Sequence, residues 1–250
     1  MGFGGWAAAA GDLLLGAECP ACRRPGWGLC PPCRRSLLGR TCYRTSPDPC
    51  PAGFPDTATS SPYDAVMQQL VSAHKEHQVL SLTPVLATRL RAALDCLLTD
   101  LASSPTPWPP GVQITVVPVP SSPATVRARG FDATWALARR VAASPTAVRA
   151  SDGPSLRAQR LLGLSRRVQD QAGLSARARR DNLTGSFRVL RRPPAATLVV
   201  LVDDVVTTGS SLVEASRALR AERIPVLGAA TIAATVRSRP SDHRLAEETR

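Results

Sequence analysis

Apolar positions along the chain change period from one segment to the next. Across residues 63–101 they recur at three- and four-residue steps: Val66, Leu70 and Val71, then Leu86, Leu90, Leu94, Leu97, Leu98 and Leu101. That spacing predicts two helices, the second opened near its first turn by Pro84. After the loop "SSPTPWPPG" the apolar residues become contiguous. "VQITVVPVP" from Val112 reads as a buried strand that ends at its prolines. "TLVVLVDD" (197–204) reads as a strong strand and "PVLGAATIAA" (225–234) as a final one, while "TAVRA" (146–150) and "SFRVL" (186–190) are weaker. Residues 131–143 and 210–222 read as amphipathic helices. Residues 151–184 are polar and Arg-rich and are expected to form a long loop. Strands alternating with helices imply an α/β fold with a mainly parallel sheet.

Residues 1–60 have a different texture. They hold six of the seven Cys with many Pro and Gly, and are not expected to form a conventional core. The expected organisation is a cysteine-rich metal-binding module (1–60), an α/β domain (61–236) and a charged tail (237–250). A length of 250 residues and a hydrophobic content of 44% suffice for one sizeable core with a small satellite. No apolar run reaches the ~20 residues of a membrane helix, and the first residues lack a basic stretch, so no membrane span and a cytoplasmic location are expected.

Charge sharpens this picture in one place. The formal net charge is +12, and Lys75 is the sole lysine among the 31 basic residues. Ten Arg lie between Arg157 and Arg192 against only Asp170 and Asp181. Such a segment either forms a solvated surface or meets phosphates.

"CPACRRPGWGLCPPC" places Cys19, Cys22, Cys30 and Cys33 as C-x2-C-x7-C-x2-C. Two C-x2-C turns can wrap one tetrahedral ion, and four thiolates leave no open position for substrate. A structural Zn2+ is the expected occupant, with an iron–sulfur cluster as the alternative. A chelator is then expected to unfold residues 1–60 and leave the α/β domain standing. Cys96 falls in an apolar helix and reads as core. His74 and His77, flanked by Lys75 and Glu76, read as a solvated helix face.

The strand at 197–204 ends in Asp203 and Asp204 and runs directly into Thr207, Thr208, Gly209, Ser210 and Ser211. In open parallel sheets, ligands bind beyond the carboxyl ends of the strands. A glycine turn that opens a helix directs free N–H groups back toward the strand end, where they can cradle a phosphate. Two acids beside such a cradle suit a sugar phosphate, whose hydroxyls donate to the carboxylates.

The stretch "VVLVDDVVTTGSS" resembles the signature of type I phosphoribosyltransferases, which bind 5-phosphoribosyl-1-pyrophosphate (PRPP). "VPVP" followed by "RGFD", and then Gln171, Gly173, Leu174, Arg179 or Arg180, Asn182 and Phe187, resembles the ComF-type branch of that superfamily. The resemblance implies a phosphoribosyltransferase-like sheet flanked by helices, with the N-terminal zinc knuckle beside it. It also implies Mg2+ bound together with PRPP. Asp203, Asp204 and Arg129 would take the catalytic roles. Thr207 through Ser211 would hold the 5′-phosphate, and Ser121 and Ser122 in the 120–123 loop would hold pyrophosphate, helped by Arg127. Arg177, Arg179 and Arg180 would lie in a flexible loop over the ligand, and a hood from residues 63–101 would receive an acceptor of unknown identity. The branch frequently carries two further C-x-x-C pairs, of which Cys42 and Cys50 survive here. The expected activity is phosphoribosyl transfer, linked through the resemblance to DNA uptake in bacterial competence. The alternative is a non-catalytic PRPP sensor or nucleic-acid-binding module. Single-stranded DNA and a second copy of the chain, as a homodimer, are the candidate macromolecular partners.

Overall fold

In the computed structural model the described residues are 18–102, 112–143, 154–165, 185–194 and 197–235. They form an α/β unit around a six-stranded sheet. The strands are β1 (Tyr43–Thr45), β2 (Thr57–Thr59), β3 (Gln113–Pro118), β4 (Ser155–Ala158), β7 (Leu198–Val206) and β8 (Val226–Ala234), in the order β1-β2-β8-β7-β3-β4. Only β1 runs antiparallel to its neighbour. A separate antiparallel pair joins β5 (Leu162–Leu164) to β6 (Phe187–Val189).

The sheet is covered on both faces, which is why β3, β7 and β8 read as unbroken apolar runs. On one face lie α2 (Ala65–Lys75), α3 (Thr83–Ala102) and α5 (Ala133–Ala143). Leu70, Leu86, Leu90, Leu94, Leu97 and Leu137 from these helices pack with Ile114, Val116, Val200, Val202, Ala230 and Ile232. On the other face α6 (Ser210–Ala221) brings Leu212, Ala215 and Leu219 against Val117, Val199, Leu201 and Ala229. From Val199 to Val202 the residues of β7 therefore alternate between the two helical layers, as strand geometry requires.

Chain direction fixes where a ligand can sit. From β3 the chain passes through α4 (Pro123–Arg129) and α5 to β4 on one side, and β7 then returns on the other side of β3. The connections diverge between β3 and β7, which is the switch point of an open parallel sheet and opens a crevice at the strands' carboxyl ends.

Several expectations change. Residues 43–59, grouped by sequence with the cysteine-rich segment, supply two strands of the main sheet. Thr57, Ala58 and Thr59 are all buried, paired with Ala229, Ala230 and Thr231 of β8. Where β8 passes this segment, a Cβ on Gly228 would stand 2.5 Å from the Asp56 carbonyl oxygen, so only glycine permits the approach. The expected 151–184 loop contains β4 and β5. β4 was not legible because it lies at the sheet edge and alternates exposed and half-buried residues in a short, Arg-containing run. The strand expected at 146–150, the Arg-rich positions Arg177, Arg179 and Arg180, Asn182, and the tail from 237 lie outside the described residues. Among the described residues, no helix is long and apolar enough to cross a membrane.

Candidate functional site

β7 does not stop at its acids. It pairs with β8 as far as Val206↔Ala234, whereas its pairing with β3 ends at Pro118↔Val202. Asp203 and Asp204 therefore sit just beyond the point where β3 has left the sheet, on the rim of the crevice. The alternation set by Val199 to Val202 puts Asp203 on the α6 side and Asp204 on the side of α2 and α3. The two acids thus meet different partners, which answers how a strand can carry adjacent charges.

Asp204 is 7% exposed and is held by Lys75 at the end of α2, with Nζ 2.5 Å from Oδ2. Burial pushes the Asp204 carboxyl up, but the Lys75 ammonium outweighs it and leaves the group below the usual carboxylate range. Burial likewise works against the Lys75 charge, and Asp204 more than restores it. Burial, followed by the neighbouring Asp204, drives the Asp203 carboxyl well above the ordinary value. Lys75 also draws the Asp203 carboxyl down, but less strongly than its surroundings raise it. Burial and the neighbouring charges thus push the two carboxyls in opposite directions. Asp203 Oδ1 also accepts a 2.9 Å bond from the Asp204 backbone N–H.

The end of α2 reaches a second predicted residue. Glu76 accepts two bonds from Arg129, at 2.5 Å from Nη2 and 3.2 Å from Nε. Arg129 closes α4, which is capped by Gly130 in the left-handed region at φ 73°. Phe131 then meets His74 edge-on with ring centroids 5.4 Å apart, and Asp132 accepts a bond from the Trp135 backbone N–H at the start of α5. The "RGFD" segment is thus a cap, a packing residue and a second cap. Arg127 is exposed.

His74 departs from expectation. It is 2% exposed, with Nε2 2.9 Å from Thr83 Oγ1. The flanking charges that made this stretch look solvated find partners within the fold, and the ring points inward. Burial lowers its pKa from 6.5 to about 4. Between these values the unfolded chain binds a proton that the folded chain refuses. Stability from this group is therefore full above about pH 6.5 and is lost as pH falls toward 4. Denaturant titrations across that range are expected to show a loss on the order of 3 kcal/mol that His74→Asn removes; equal slopes for the two proteins would contradict the assignment.

The turn after β7 opens α6 through a glycine. Gly209 is the N-cap residue of α6, with φ 73° and no side-chain cap. A Cβ there would meet the Phe54 ring at 2.6 Å and Pro47 at 2.9 Å. The loop before β2 therefore backs the turn, a contact that sequence did not reveal. Thr207 and Thr208 are exposed, Ser210 and Ser211 half-buried, and the Thr208 and Ser210 hydroxyls lie 3.0 Å apart. Across the crevice, Ser122 caps α4 by accepting from the Thr125 backbone N–H at 3.0 Å, and Ser121 is half-buried beside it. A further buried acid, Glu214 on α6, accepts from the Gly185 and Phe187 backbone N–H groups at 2.9 and 3.1 Å and pairs with Arg217. Sequence offered no signal for it, since Glu on a predicted amphipathic helix reads as exposed.

The second centre lies at the N-terminal side. One ligand atom from each of Cys19, Cys22, Cys30 and Cys33 lies within 4.8 Å of the others. Tetrahedral coordination at a Zn–S distance of ~2.3 Å places sulfurs about 3.8 Å apart, so the cluster fits a metal such as zinc. Cys22 and Cys30 Sγ are 3.6 Å apart, far beyond disulfide bonding. Burial raises the Cys19 thiol, but the N–H groups of Cys30, Ala21 and Cys22 outweigh it and bring it down to about 6. Hydrogen bonding to Cys30, with burial and the other sulfurs, pushes Cys33 up to about 12. One thiolate forms readily and the last proton is hard to remove, which is what four crowded sulfurs do until a cation joins them. Cys30 is the N-cap of α1 (Pro31–Leu38), so the second C-x2-C pair opens a helix. Cys96 is half-buried and packs against the main core, while Cys42 is half-buried and Cys50 exposed.

No known family model matches this chain, and no curated protein is significantly similar to it.

Proposed function

We propose that the chain binds PRPP at the β3/β7 crevice and acts as a phosphoribosyltransferase of the ComF-like type, with a structural Zn2+ in its four-cysteine centre. The observation that carries this reading is positional: an acid pair at the switch point runs without interruption into a glycine turn and a helix start that has no side-chain cap. Asp203 and Asp204 would accept hydrogen bonds from the ribose hydroxyls, and the 207–211 turn would donate to the 5′-phosphate. Ser121, Ser122 and the 120–123 loop would position pyrophosphate, and Arg129, exchanging Glu76 for the ligand, would offset its charge. Mg2+ bound with the ligand would neutralise pyrophosphate as it leaves; hard carboxylate oxygens suit it. The carboxylates favour positive charge developing on the sugar ring.

Binding of Mg2+ and PRPP to the wild type is expected by calorimetry. Asp203→Asn combined with Asp204→Asn is expected to weaken it at least 100-fold. Equal affinity in the two proteins, or none in the wild type, would end the reading. A second reading, binding without turnover, is favoured by two ion pairs: Lys75 already engages Asp204, and Glu76 already engages Arg129. Pyrophosphate release with a panel of nucleobases and amines separates the two.

A further inference from the structure

β4 ends at Ala158, paired with Val116 of β3, and the Gln159 N–H still donates to the Val116 carbonyl at 3.1 Å. The Leu161 N–H then donates to the Gln159 carbonyl at 3.2 Å, so the chain turns at Arg160. Counting on from Val116↔Ala158 sets Arg160 level with Pro118, whose partner on the other side is Val202. Arg160 and Asp203 therefore stand on opposite sides of β3 where it leaves the sheet, and β3 leads directly into the 120–123 loop. Neighbouring strands lie ~4.8 Å apart, so β4 and β7 flank that exit at about 10 Å from one another.

The Arg160 guanidinium is set in place but not enclosed. It lies over the Trp135 ring, 4.3 Å from the centroid, and Nη2 donates to Asp132 Oδ2 at 3.0 Å. The side chain is 49% exposed. Asp132 does not depend on this pair, because its Oδ1 accepts from the Trp135 N–H and its charge sits at the start of α5, where a helix favours an anion. A half-exposed ion pair of this kind is weak and exchanges readily. A guanidinium carries five N–H donors in a planar fork, and among the described residues Asp132 takes one of them. Pyrophosphate presents more negative charge and more acceptor oxygens than a single carboxylate, so it competes with Asp132 for them. Arg129, three residues before Asp132, is likewise held by one carboxylate, that of Glu76. The "RGFD" turn thus holds an exchangeable guanidinium at each end. We propose that Arg160 is a further binding residue of the crevice, which leaves Asp132 to contact the pyrophosphate group of PRPP on the side of β3 away from the acids. This rests on the crevice reading and adds to it the residue that distinguishes a pyrophosphorylated sugar from the sugar phosphate alone.

The test titrates the full-length, metal-loaded protein, with Mg2+ present, with PRPP and with ribose 5-phosphate, which differ by the pyrophosphate group. Arg160→Met is expected to weaken PRPP at least 10-fold and ribose 5-phosphate less than about 2-fold, with a melting temperature close to that of wild type. A second measurement needs no arginine variant. As Arg160 leaves the indole ring, the emission of Trp135, taken as the difference between wild type and Trp135→Phe, should change with PRPP and not with ribose 5-phosphate. A purely structural tie between β4 and α5 would move neither the ratio of the two affinities nor that emission. Equal PRPP affinity in Arg160→Met, a parallel loss for both ligands, or Trp135 emission that stays constant as PRPP binds overturns the proposal and leaves the crevice reading in place. If wild type binds neither ligand, both fall together.

Discussion

Removing the metal from the four-cysteine centre is expected to unfold residues 18–38 and to lower the stability of the whole α/β unit. Structural zinc contributes on the order of 10 kcal/mol of apparent folding free energy to segments with little core of their own. Here the segment is not a detached satellite. α1 carries Cys33 in its first turn and, one turn on, Leu37, which is 2% exposed inside the main core. Arg89 of α3 donates to the Leu38 carbonyl at 3.2 Å and to the Ser60 carbonyl, joining α1 to the end of β2. A Cβ on Gly28 would stand 3.0 Å from Ser81 Oγ, so the turn between the cysteine pairs also sits close against the main body. The expectation that a chelator leaves the α/β domain untouched therefore gives way to a coupled loss. Without a cation, hydrogen bonding to Cys30 pushes the Cys33 thiol up to about 12, and the four sulfurs crowd one another. Thermal melts of chelator-treated protein and of Cys30→Ser should shift down by well over 10 °C, with metal release counted by thiol titration. An unchanged melting temperature in protein shown to be metal-free would remove the centre from any structural role.

The four-cysteine centre and the acid-to-glycine segment were legible because each is contiguous, or nearly so, in the chain. Spacing alone put the thiols in reach of one another, and strand alternation alone separated Asp203 from Asp204. What stayed hidden depends on contacts between distant segments. β2 is "TAT", with no large apolar residue to announce it. It is buried because β8 presents Ala229, Ala230 and Thr231 opposite, and small residues on both sides let the strands and the helices above them approach closely. The helix end at 74–77 misled for the opposite reason. His, Lys, Glu and His in a row have the composition of a solvated face. Glu76 and His77 are indeed exposed, but His74 is buried against Thr83 and Lys75 is half-buried on Asp204, which lies 129 residues further along the chain. Sequence periodicity reports what a side chain prefers, not which partner the fold will bring to it.

Lys75→Met tests that partnership directly and is expected to be among the most damaging single changes. The substitution keeps the length of the side chain and deletes its charge. Asp204 would then be left almost fully buried beside Asp203, without the ammonium that now pairs with it. Breaking a buried pair from one side costs about 3 kcal/mol or more, because the surviving charge is neither solvated nor matched. The cost should depend on pH with a definite sign. In the wild type Asp204 is held below its ordinary pKa, so its contribution is present above the usual carboxylate range and is lost as pH falls through the lowered value. In Lys75→Met the same carboxyl is pushed upward by burial, and folding then favours its protonated form. The gap in stability between the two proteins should therefore widen as pH rises from about 4 to about 7. Adding Asp204→Asn to Lys75→Met removes the stranded charge and should recover part of the loss, giving a coupling well above 1 kcal/mol in a double-mutant cycle. If the single variant proves as stable as wild type at neutral pH, or the cycle shows no coupling, the ion pair does not hold α2 to the sheet. The acidic crevice would then have to keep two adjacent carboxylates without the counter-charge that keeps one of them ionised.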